Sequence, residues 1–319
     1  MSGSRIDVHH HYLPTFYREA LVQAGHSRPD GIAAIPDWSE ASALATMDRL
    51  GIHKAFLSIS SPGVHFGDAA AARALARRVN EEGARLKRAH PDRLGFFASV
   101  PLPDVPAALE EARHAFDVLG ADGVVLLTHY QGLYLGHAQL APFYDELDRR
   151  RAVLFLHPTA PHCSCHPLAY PKPMLEFIFD TTRSVTDMIL SGTLERHPQL
   201  QVIVPHAGAA LPILAERIEL ILNPALTPAG VVNCRVPVRE ALRRLHYDVA
   251  GAPVPELLGA LRQVADPSRI HYGSDWPYTP VEVCEALAAK LDATPLLDGA
   301  LRDAVMRDNA ARLFAPREP

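Results

Sequence analysis

Short apolar runs alternate with longer stretches of helical periodicity along the whole chain. Several runs, such as VVLL and VLFL, are apolar without interruption, which is typical of strands covered on both faces of a parallel sheet. We predict eight strands, which are Arg5–His9, Lys54–Ser60, Leu94–Val100, Gly123–Thr128, Ala152–His157, Gln201–His206, Leu245–Val249 and Arg269–Ser274.

Helices are predicted after these strands, because apolar residues recur there at intervals of three and four. Glycine follows two of the helices directly, at Gly51 and Gly120, as is common at helix C-termini. The predicted helices are Ser39–Leu50, Asp68–Ala89, Val105–Leu119, Gln139–Arg150, Met174–Ser191, Ala209–Leu222, Val254–Ala265 and Val281–Leu291, with a further C-terminal helix at Asp298–Arg307.

Eight strand–helix units in one order predict an α/β fold, a (β/α)8 TIM barrel forming one domain over residues 1–319. The fold typically needs ~250 residues, so the remainder must form loop insertions. Three proline-rich candidates for these insertions are Tyr12–Trp38, Pro158–Pro173 and Asn223–Pro237. The same alternation also fits an open, doubly wound sheet, and the position of the candidate chemistry must distinguish the two.

Composition excludes several classes of protein. The chain is 48% apolar and 21% charged with a net charge of −5, so it is neither disordered nor a dedicated nucleic-acid binder. No apolar stretch reaches the ~20 residues that cross a bilayer, and no signal-peptide core opens the sequence. Because the chain has only four cysteines, we do not expect a disulfide scaffold. We expect a cytoplasmic location.

The histidines carry the first candidate chemistry. The first predicted strand ends in His9, His10 and His11. Because side chains alternate along a strand, His9 and His11 point to one side, where two neutral imidazoles suit a divalent metal ion. A polar strand end with three solvated histidines is the alternative.

Three further groups follow other strands: His157 after the fifth, His206 after the sixth and Asp275 after the eighth. In a closed barrel the first and eighth strands are neighbours, and all carboxyl ends of the strands meet at one mouth. An open sheet would not bring Asp275 near His9. The sequence therefore predicts a closed barrel with a metal site at its mouth.

Five motifs carry a family resemblance: DVHHHYLP, FLHP, VPHAGAALP, GSDWPYTP and NAARLF. Together they resemble the amidohydrolase superfamily, in the branch typified by aminocarboxymuconate semialdehyde decarboxylase. The stretches WSEASALATMDRLGI, SSPGVHFGD and RRVNEEGARLKRAHPDRLGFFASVP look closer still to 6-methylsalicylate decarboxylase-type enzymes.

The resemblance implies that His9, His11, His157 and Asp275 bind the metal and that His206 is catalytic. Many superfamily members bridge two metals with a lysine on the fourth strand, but this strand, Gly123–Thr128, contains none, so we expect one ion. The ligand set suits Zn²⁺, with Mn²⁺ and Mg²⁺ as alternatives, and no organic cofactor is needed.

Candidate substrate contacts are less specific. Arg217 lies 11 residues after His206, and the resemblance implies that it holds a substrate carboxylate in the neighbouring site of a homodimer. A surface arginine is the alternative. Arg183, on the helix predicted after the fifth strand, could bind an anion, with a capping role in that region as the alternative. His65, Phe66, Tyr12 and Trp276 could contact the substrate, with simple packing as the alternative for the aromatic residues. The segment from Cys163 to His166 matches no standard zinc motif.

These features favour a non-oxidative decarboxylase of a small ortho-hydroxy aromatic acid, such as a salicylate, 6-methylsalicylate or dihydroxybenzoate. Asp275 would deliver a proton to the ring carbon that carries the carboxylate, and His206 would tune that transfer. The same ligands would also serve a hydrolase, such as a lactonase or amidohydrolase, or a hydratase. A non-catalytic metal-binding barrel is a third hypothesis.

Overall fold

A computed structural model describes residues 5–163, 169–223, 225–227 and 236–315. Eight parallel strands each pair with the next in chain order. They are β1 Arg5–His11, β2 Ile52–Ser58, β3 Leu94–Ala98, β4 Gly123–Leu127, β5 Val153–His157, β6 Gln201–Val204, β7 His246–Asp248 and β8 Ile270–His271.

Backbone hydrogen bonds between β1 and the chain following β8 close the barrel. The amide of Val8 donates to the Tyr272 carbonyl at 3.1 Å, and the amide of Asp275 donates to the His9 carbonyl at 2.8 Å. The amide of His11 donates to the Trp276 carbonyl at 2.8 Å. The predicted TIM-barrel fold is thereby confirmed against the open sheet.

Helices follow the strands around the barrel. They are α1 Thr15–Gln23, α2 Glu40–Leu50, α3 Ala69–Ala89, α4 Val105–His114, α5 Ala141–Arg149, α6 Glu176–Leu190, α7 Thr193–Arg196, α8 Leu211–Ile221, α9 Val238–Arg244, α10 Glu256–Leu261, α11 Val281–Ala293, α12 Gly299–Asp303 and α13 Asn309–Leu313. Single turns of 3-10 helix lie at Pro29–Gly31, Ala138–Leu140, Lys172–Met174, His206–Gly208 and Pro267–Arg269. Within the described ranges, no helix is both long and apolar enough to cross a membrane.

The main departures from the sequence prediction lie in the insertions and at the last strand. Helix α1 and the turn Pro29–Gly31 fold within the predicted insertion Tyr12–Trp38. The eighth strand is only two residues long, because the chain leaves the sheet at Tyr272 and turns towards Asp275, whose φ is +60°. The other two predicted insertions, Pro158–Pro173 and Asn223–Pro237, lie partly outside the described residues, which leave out 164–168, 224 and 228–235.

Alternate strand residues face two apolar layers. One set packs against the helices, while the inward set forms a cluster that includes Phe56, Phe97 and Phe155. These three rings stack in sequence, at 5.7 and 5.4 Å between centroids, and Phe314 from the C-terminal segment stacks on Phe56 at 3.8 Å. The barrel interior is therefore a packed aromatic column.

Candidate active site and metal centre

Four side chains converge at the carboxyl ends of the strands. One ligand atom from each of His9, His11, His157 and Asp275 lies within 4.8 Å of the others. Asp275 Oδ1 is 3.1 Å from His11 Nε2 and 3.3 Å from His9 Nε2. The imidazoles are buried, whereas the Asp275 side chain keeps a fifth of its surface exposed. This is a compact, nearly dry cluster with one accessible carboxylate.

The strands orient these groups through an irregularity in β1. Its register against β2 shifts between Asp7 and His10. His9 and His11 meet edge to face with 5.0 Å between their ring centroids. His10 turns away, with Nδ1 3.0 Å from Asp7 Oδ2 and its ring 5.0 Å from that of Trp276. Beneath the cluster, Phe155 contacts His9 at 4.8 Å, so the aromatic column forms an apolar floor.

Each of the three imidazoles makes a hydrogen bond through Nδ1 to a residue outside the four-residue cluster. His9 Nδ1 lies 2.9 Å from an Asp248 carboxylate oxygen, and His157 Nδ1 lies 2.7 Å from the Pro158 carbonyl. His11 Nδ1 lies 2.9 Å from the Ser58 hydroxyl and 3.2 Å from the Ser58 carbonyl.

Carboxylates and carbonyls only accept, so these Nδ1 atoms carry the hydrogen and the Nε2 lone pairs face inward. His9 Nε2 is buried and makes no hydrogen bond to any described residue. Three such lone pairs and a carboxylate fit a divalent cation, and the four residues form a site for one.

The charges of the cluster favour a cation. Burial opposes a charged His9, but the carboxylates of Asp248 and Asp275 outweigh it and raise the pKa of His9 to about 10. Burial lowers the pKa of His157 well below its ordinary value, as do the neighbouring imidazoles of His11 and His9. Burial also lowers the pKa of His11. A proton is thus concentrated on one imidazole, where a bound cation would replace it.

His206 stands beside the four ligands. Its amide donates to Asp248 Oδ1 at 3.0 Å, and its Nε2 lies 3.8 Å from Asp275 Oδ2. His206 Nδ1 is buried without a partner among the described residues. His206, Ala207 and Ala209 all have φ near +55°, a conformation that is costly for residues other than glycine and is concentrated at functional sites.

A cavity of about 400 Å³ opens over the cluster. Its described lining contains no lysine or arginine. The polar lining residues are Asp30, Ser60, His157, His206, Asp275, Tyr278 and Thr279, and the other lining residues are Pro29, Ile32, Pro173, Met174, Phe177, Ile178, Ala250, Gly251, Ala252 and Leu257. The cavity suits a small, flat, largely apolar molecule whose negative charge meets the cation.

A family model described as amidohydrolase matches residues 6–315, which is nearly the whole chain. The chain belongs to the amidohydrolase family. The resemblance noted in the sequence is thus confirmed.

Individual proteins similar to this amidohydrolase include an enzyme and a solved structure. The chain is 40% identical to the 6-methylsalicylic acid decarboxylase acuB of Aspergillus aculeatus, over 97% of this chain and 96% of the relative. A crystal structure of amidohydrolase II superposes with a TM-score of 0.92 at 37% identity, covering 98% of this chain and all of the other.

Two enzyme complexes share the fold. Crystalline 2,6-dihydroxybenzoate decarboxylase, complexed with 2,6-dihydroxybenzoate, matches at 25% identity with a TM-score of 0.82, covering 98% and 99% of the two chains. A manganese complex of 5-carboxyvanillate decarboxylase from Novosphingobium aromaticivorans has a TM-score of 0.87 at 22% identity, covering 98% of this chain and 96% of the other, which shows the fold alone.

Several predicted substrate contacts of this amidohydrolase lie away from the cavity. Tyr12 is fully buried in the core and its hydroxyl donates to the Val79 carbonyl at 2.9 Å. Trp276 is 6% exposed and packs on His10. Because a strand alternates its faces, Tyr12 points away from the site that His11 enters. Neither Tyr12 nor Trp276 lines the cavity, and their contact with a substrate stays a prediction.

The other candidates lie outside the cavity. His65 and Phe66 occupy the loop after β2, where Phe66 packs on His26 at 5.2 Å, and neither lines the cavity. The Arg183 side chain is 53% exposed on α6, 3.7 Å from Asp180. Arg217 is exposed on α8. Neither Arg183 nor Arg217 lines the cavity of its own chain, and the substrate contacts of His65, Phe66, Arg183 and Arg217 stay predictions. Cys165 and His166 lie outside the described residues.

Sequence reasoning missed Asp248, the buried carboxylate that holds both His9 and the His206 amide. Its signal was a charged residue inside the apolar run LHYDVAG, on the predicted seventh strand. Asp30 was also missed, because nothing in the proline-rich segment around it indicates that it returns to the mouth.

Proposed function

We propose that this amidohydrolase is a metal-dependent, non-oxidative decarboxylase of a small aromatic acid with a hydroxyl group ortho to the carboxylate. The observation that carries the proposal is a cavity whose described lining holds no lysine or arginine, above three inward Nε2 lone pairs and Asp275. An anionic substrate meets no lysine or arginine among these described lining residues of the same chain, so a bound cation would supply counter-charge at the mouth. The 40% identity to a 6-methylsalicylic acid decarboxylase supports the same reaction class.

His9, His11, His157 and Asp275 would hold one divalent ion. When bound, that ion neutralises the negative oxygens of a carboxylate and its ortho hydroxyl. Three imidazoles and one carboxylate suit Zn²⁺, which we propose as the resident metal, with Mn²⁺ as the principal competitor. The described β4 offers no lysine for a second ion, and no organic cofactor is proposed.

Asp275 and His206 would move the proton. Burial raises the pKa of Asp275, but His9, His11 and His206 outweigh it and hold that pKa well below its ordinary value. The resting carboxylate is therefore ionised, and it takes its proton from the substrate hydroxyl. His206 Nε2 lies 3.8 Å from Asp275 Oδ2, where it would stabilise the Asp275 carboxyl group before and after that group takes the proton.

Asp275 then protonates the ring carbon that carries the carboxylate. The bond from that carbon to the carboxylate breaks, its electron pair restores the aromatic ring, and CO₂ leaves. A solvent proton returns to the phenolate oxygen, so the net reaction consumes one proton and releases one phenol and one CO₂. The apolar walls around Phe177 and Leu257 keep water from the reacting ring.

The test is CO₂ release by metal-loaded enzyme from salicylate, 6-methylsalicylate and dihydroxybenzoates, beside hydrolysis of lactones and esters by the same preparation. We expect CO₂ release that is lost in Asp275→Asn and His206→Asn. An enzyme that opens lactones but leaves every hydroxybenzoate intact would be a hydrolase. Metal bound without any turnover, unaffected by Asp275→Asn, would indicate a non-catalytic barrel.

We further propose a homodimer in which Arg217 binds the substrate carboxylate of the neighbouring site. The support is that α8 exposes Ile213, Leu220 and Ile221, at 63%, 60% and 45%, beside Arg217. An exposed apolar stripe of this kind is typical of an interface.

Mixing inactive Arg217→Ala and His206→Asn chains tests this arrangement. A mixed dimer restores one site with His206 intact and Arg217 supplied by the partner, so activity should reappear. No recovery on mixing, or a fully active monomer in light scattering, would contradict it.

A further inference from the structure

The cavity carries one carboxyl group that the proposed reaction does not use. Asp30 lies on the turn Pro29–Gly31, in a wall that also contains Pro29 and Ile32. Its backbone adopts φ +54° and ψ +18°, a left-handed conformation that is uncommon outside glycine. The fold thus holds a charged side chain against the substrate space at a conformational cost.

Neighbouring contacts place this carboxyl group close to the ligand His157. Asp30 Oδ1 accepts the amide of Ala160 at 3.2 Å, three residues beyond His157. The Ser61 hydroxyl also interacts with Asp30, and the adjacent Ser60 hydroxyl lies 3.2 Å from His157 Nε2. Asp30 therefore lines the cavity on the β2 and β5 side of the mouth.

A carboxyl group in this position has a restricted choice of partners. No lysine or arginine lines the described cavity, so Asp30 has no cationic partner there. Burial raises the pKa of Asp30. Asp30 Oδ1 already accepts the Ala160 amide, but a carboxylate can accept further hydrogen bonds, which a donor on the ligand would supply and a hydrocarbon ligand would not. A second carboxylate on the ligand would be repelled.

We propose that Asp30 is a specificity-determining residue that accepts a hydrogen bond from a second ring hydroxyl of the substrate and excludes dicarboxylic acids. This inference rests on the proposed function, because it assigns the substrate class of that same site as mono-carboxylic dihydroxybenzoates in preference to salicylates without a second donor.

The experiment compares salicylate with 2,3-, 2,4-, 2,5- and 2,6-dihydroxybenzoate, using kcat/KM for CO₂ release. In wild-type enzyme one isomer should exceed salicylate, and Asp30→Ala should reduce that ratio by about tenfold or more. Asp30→Asn keeps the shape and an acceptor oxygen, so it should give a smaller loss of the ratio. It should also admit a dicarboxylic analogue such as 2-hydroxyisophthalate.

Asp187→Asn is the matched control. Asp187 is also partly buried and also accepts a loop amide, that of Gly136 at 2.7 Å, but it does not line this cavity. The control should leave the ratio unchanged. If Asp30→Ala changes kcat/KM by one common factor for every acid, Asp30 is only structural and the proposal is overturned.

Binding separates this inference from the decarboxylase proposal. Dissociation constants of phenol, catechol and resorcinol can be measured by calorimetry on the metal-loaded enzyme, whether or not it releases CO₂. A dihydroxy ligand should lose about tenfold of its advantage over phenol in Asp30→Ala. Absence of CO₂ release would reject the reaction, whereas an unchanged phenol series would reject the role of Asp30.

Discussion

Two groups of buried histidines occupy opposite ends of the barrel, and they differ in what their ring nitrogens meet. At the mouth, His9, His11 and His157 are held through Nδ1 and turn Nε2 inward beside a carboxylate. At the amino-terminal end of β7, His246 Nδ1 lies 2.8 Å from His271 Nε2. The first group turns three Nε2 atoms towards one point beside Asp275, whereas in the second group one imidazole hydrogen-bonds to the other.

An arginine fixes the hydrogen-bond direction of the second group. Arg269 Nη1 lies 2.7 Å from His246 Nε2, and because arginine only donates, that nitrogen must accept. His246 therefore donates from Nδ1 to His271. Burial, with Arg269 nearby, lowers the pKa of His246 to about 2 and that of His271 to about 3. Histidine content alone does not make a metal site, and the direction of the lone pairs decides.

The largest expected difference between the two groups is in metal content and turnover. His11→Ala should reduce bound metal from about one ion per chain to almost none and lower CO₂ release by about a thousandfold. His271→Gln should leave both unchanged when corrected for folded protein. Metal analysis and a CO₂ assay measure the two effects. Equal metal loss in both variants would remove the distinction between the groups.

The next largest effect tests the support of His9. Asp248→Asn keeps the size of the side chain but loses the carboxylate beside His9 Nδ1. The affinity for the metal should fall by about 10–100-fold, the usual result of removing such a supporting carboxylate. Competition with a chelator measures it. An unchanged affinity would mean that the imidazole is oriented by packing alone.

The buried pair His246 and His271 should make the stability of the fold sensitive to acid. Both histidines have a folded pKa below 6.5, so the unfolded chain binds more protons between that value and the folded pKa, and stability falls as pH drops below 6.5. From pH 7.5 to 5.5 each should contribute a loss of about 1 kcal/mol.

Urea unfolding of wild type and His246→Gln with saturating metal isolates this contribution. The variant should lose less stability than wild type between the two pH values. Parallel losses would show that the pair does not titrate on unfolding.

The smallest effect concerns the Tyr12 hydroxyl, which is buried and hydrogen-bonded within the core. Tyr12→Phe removes the hydrogen bond to the Val79 carbonyl and should lower the free energy of unfolding by about 1 kcal/mol. Because Tyr12 does not line the cavity, kcat/KM should not change. A rise in KM with unchanged stability would return Tyr12 to the substrate site.

Much of this arrangement could be predicted from the sequence, because strand order determines which chain ends meet. Uninterrupted apolar runs indicated the parallel strands, and closure placed Asp275 beside His9. Asp248 could not be assigned in the same way, since its role depends on a contact with His9 across 239 residues. The surroundings of Tyr12 were the other gap, because its hydroxyl donates to the Val79 carbonyl, 67 residues away in the sequence.

The joint between the first and last strands has a consequence for the metal-free protein. His9 and His11 lie on one side of this joint and Asp275 on the other, linked by the amide-to-carbonyl bonds of His11 and Asp275. An ion bound by these side chains would link the first and last strands. Its removal should therefore lower the local stability of this strand pair more than that of the rest of the barrel. The amides of Val8, His11 and Asp275 should then exchange with deuterium sooner than those in the middle of β4 and β5.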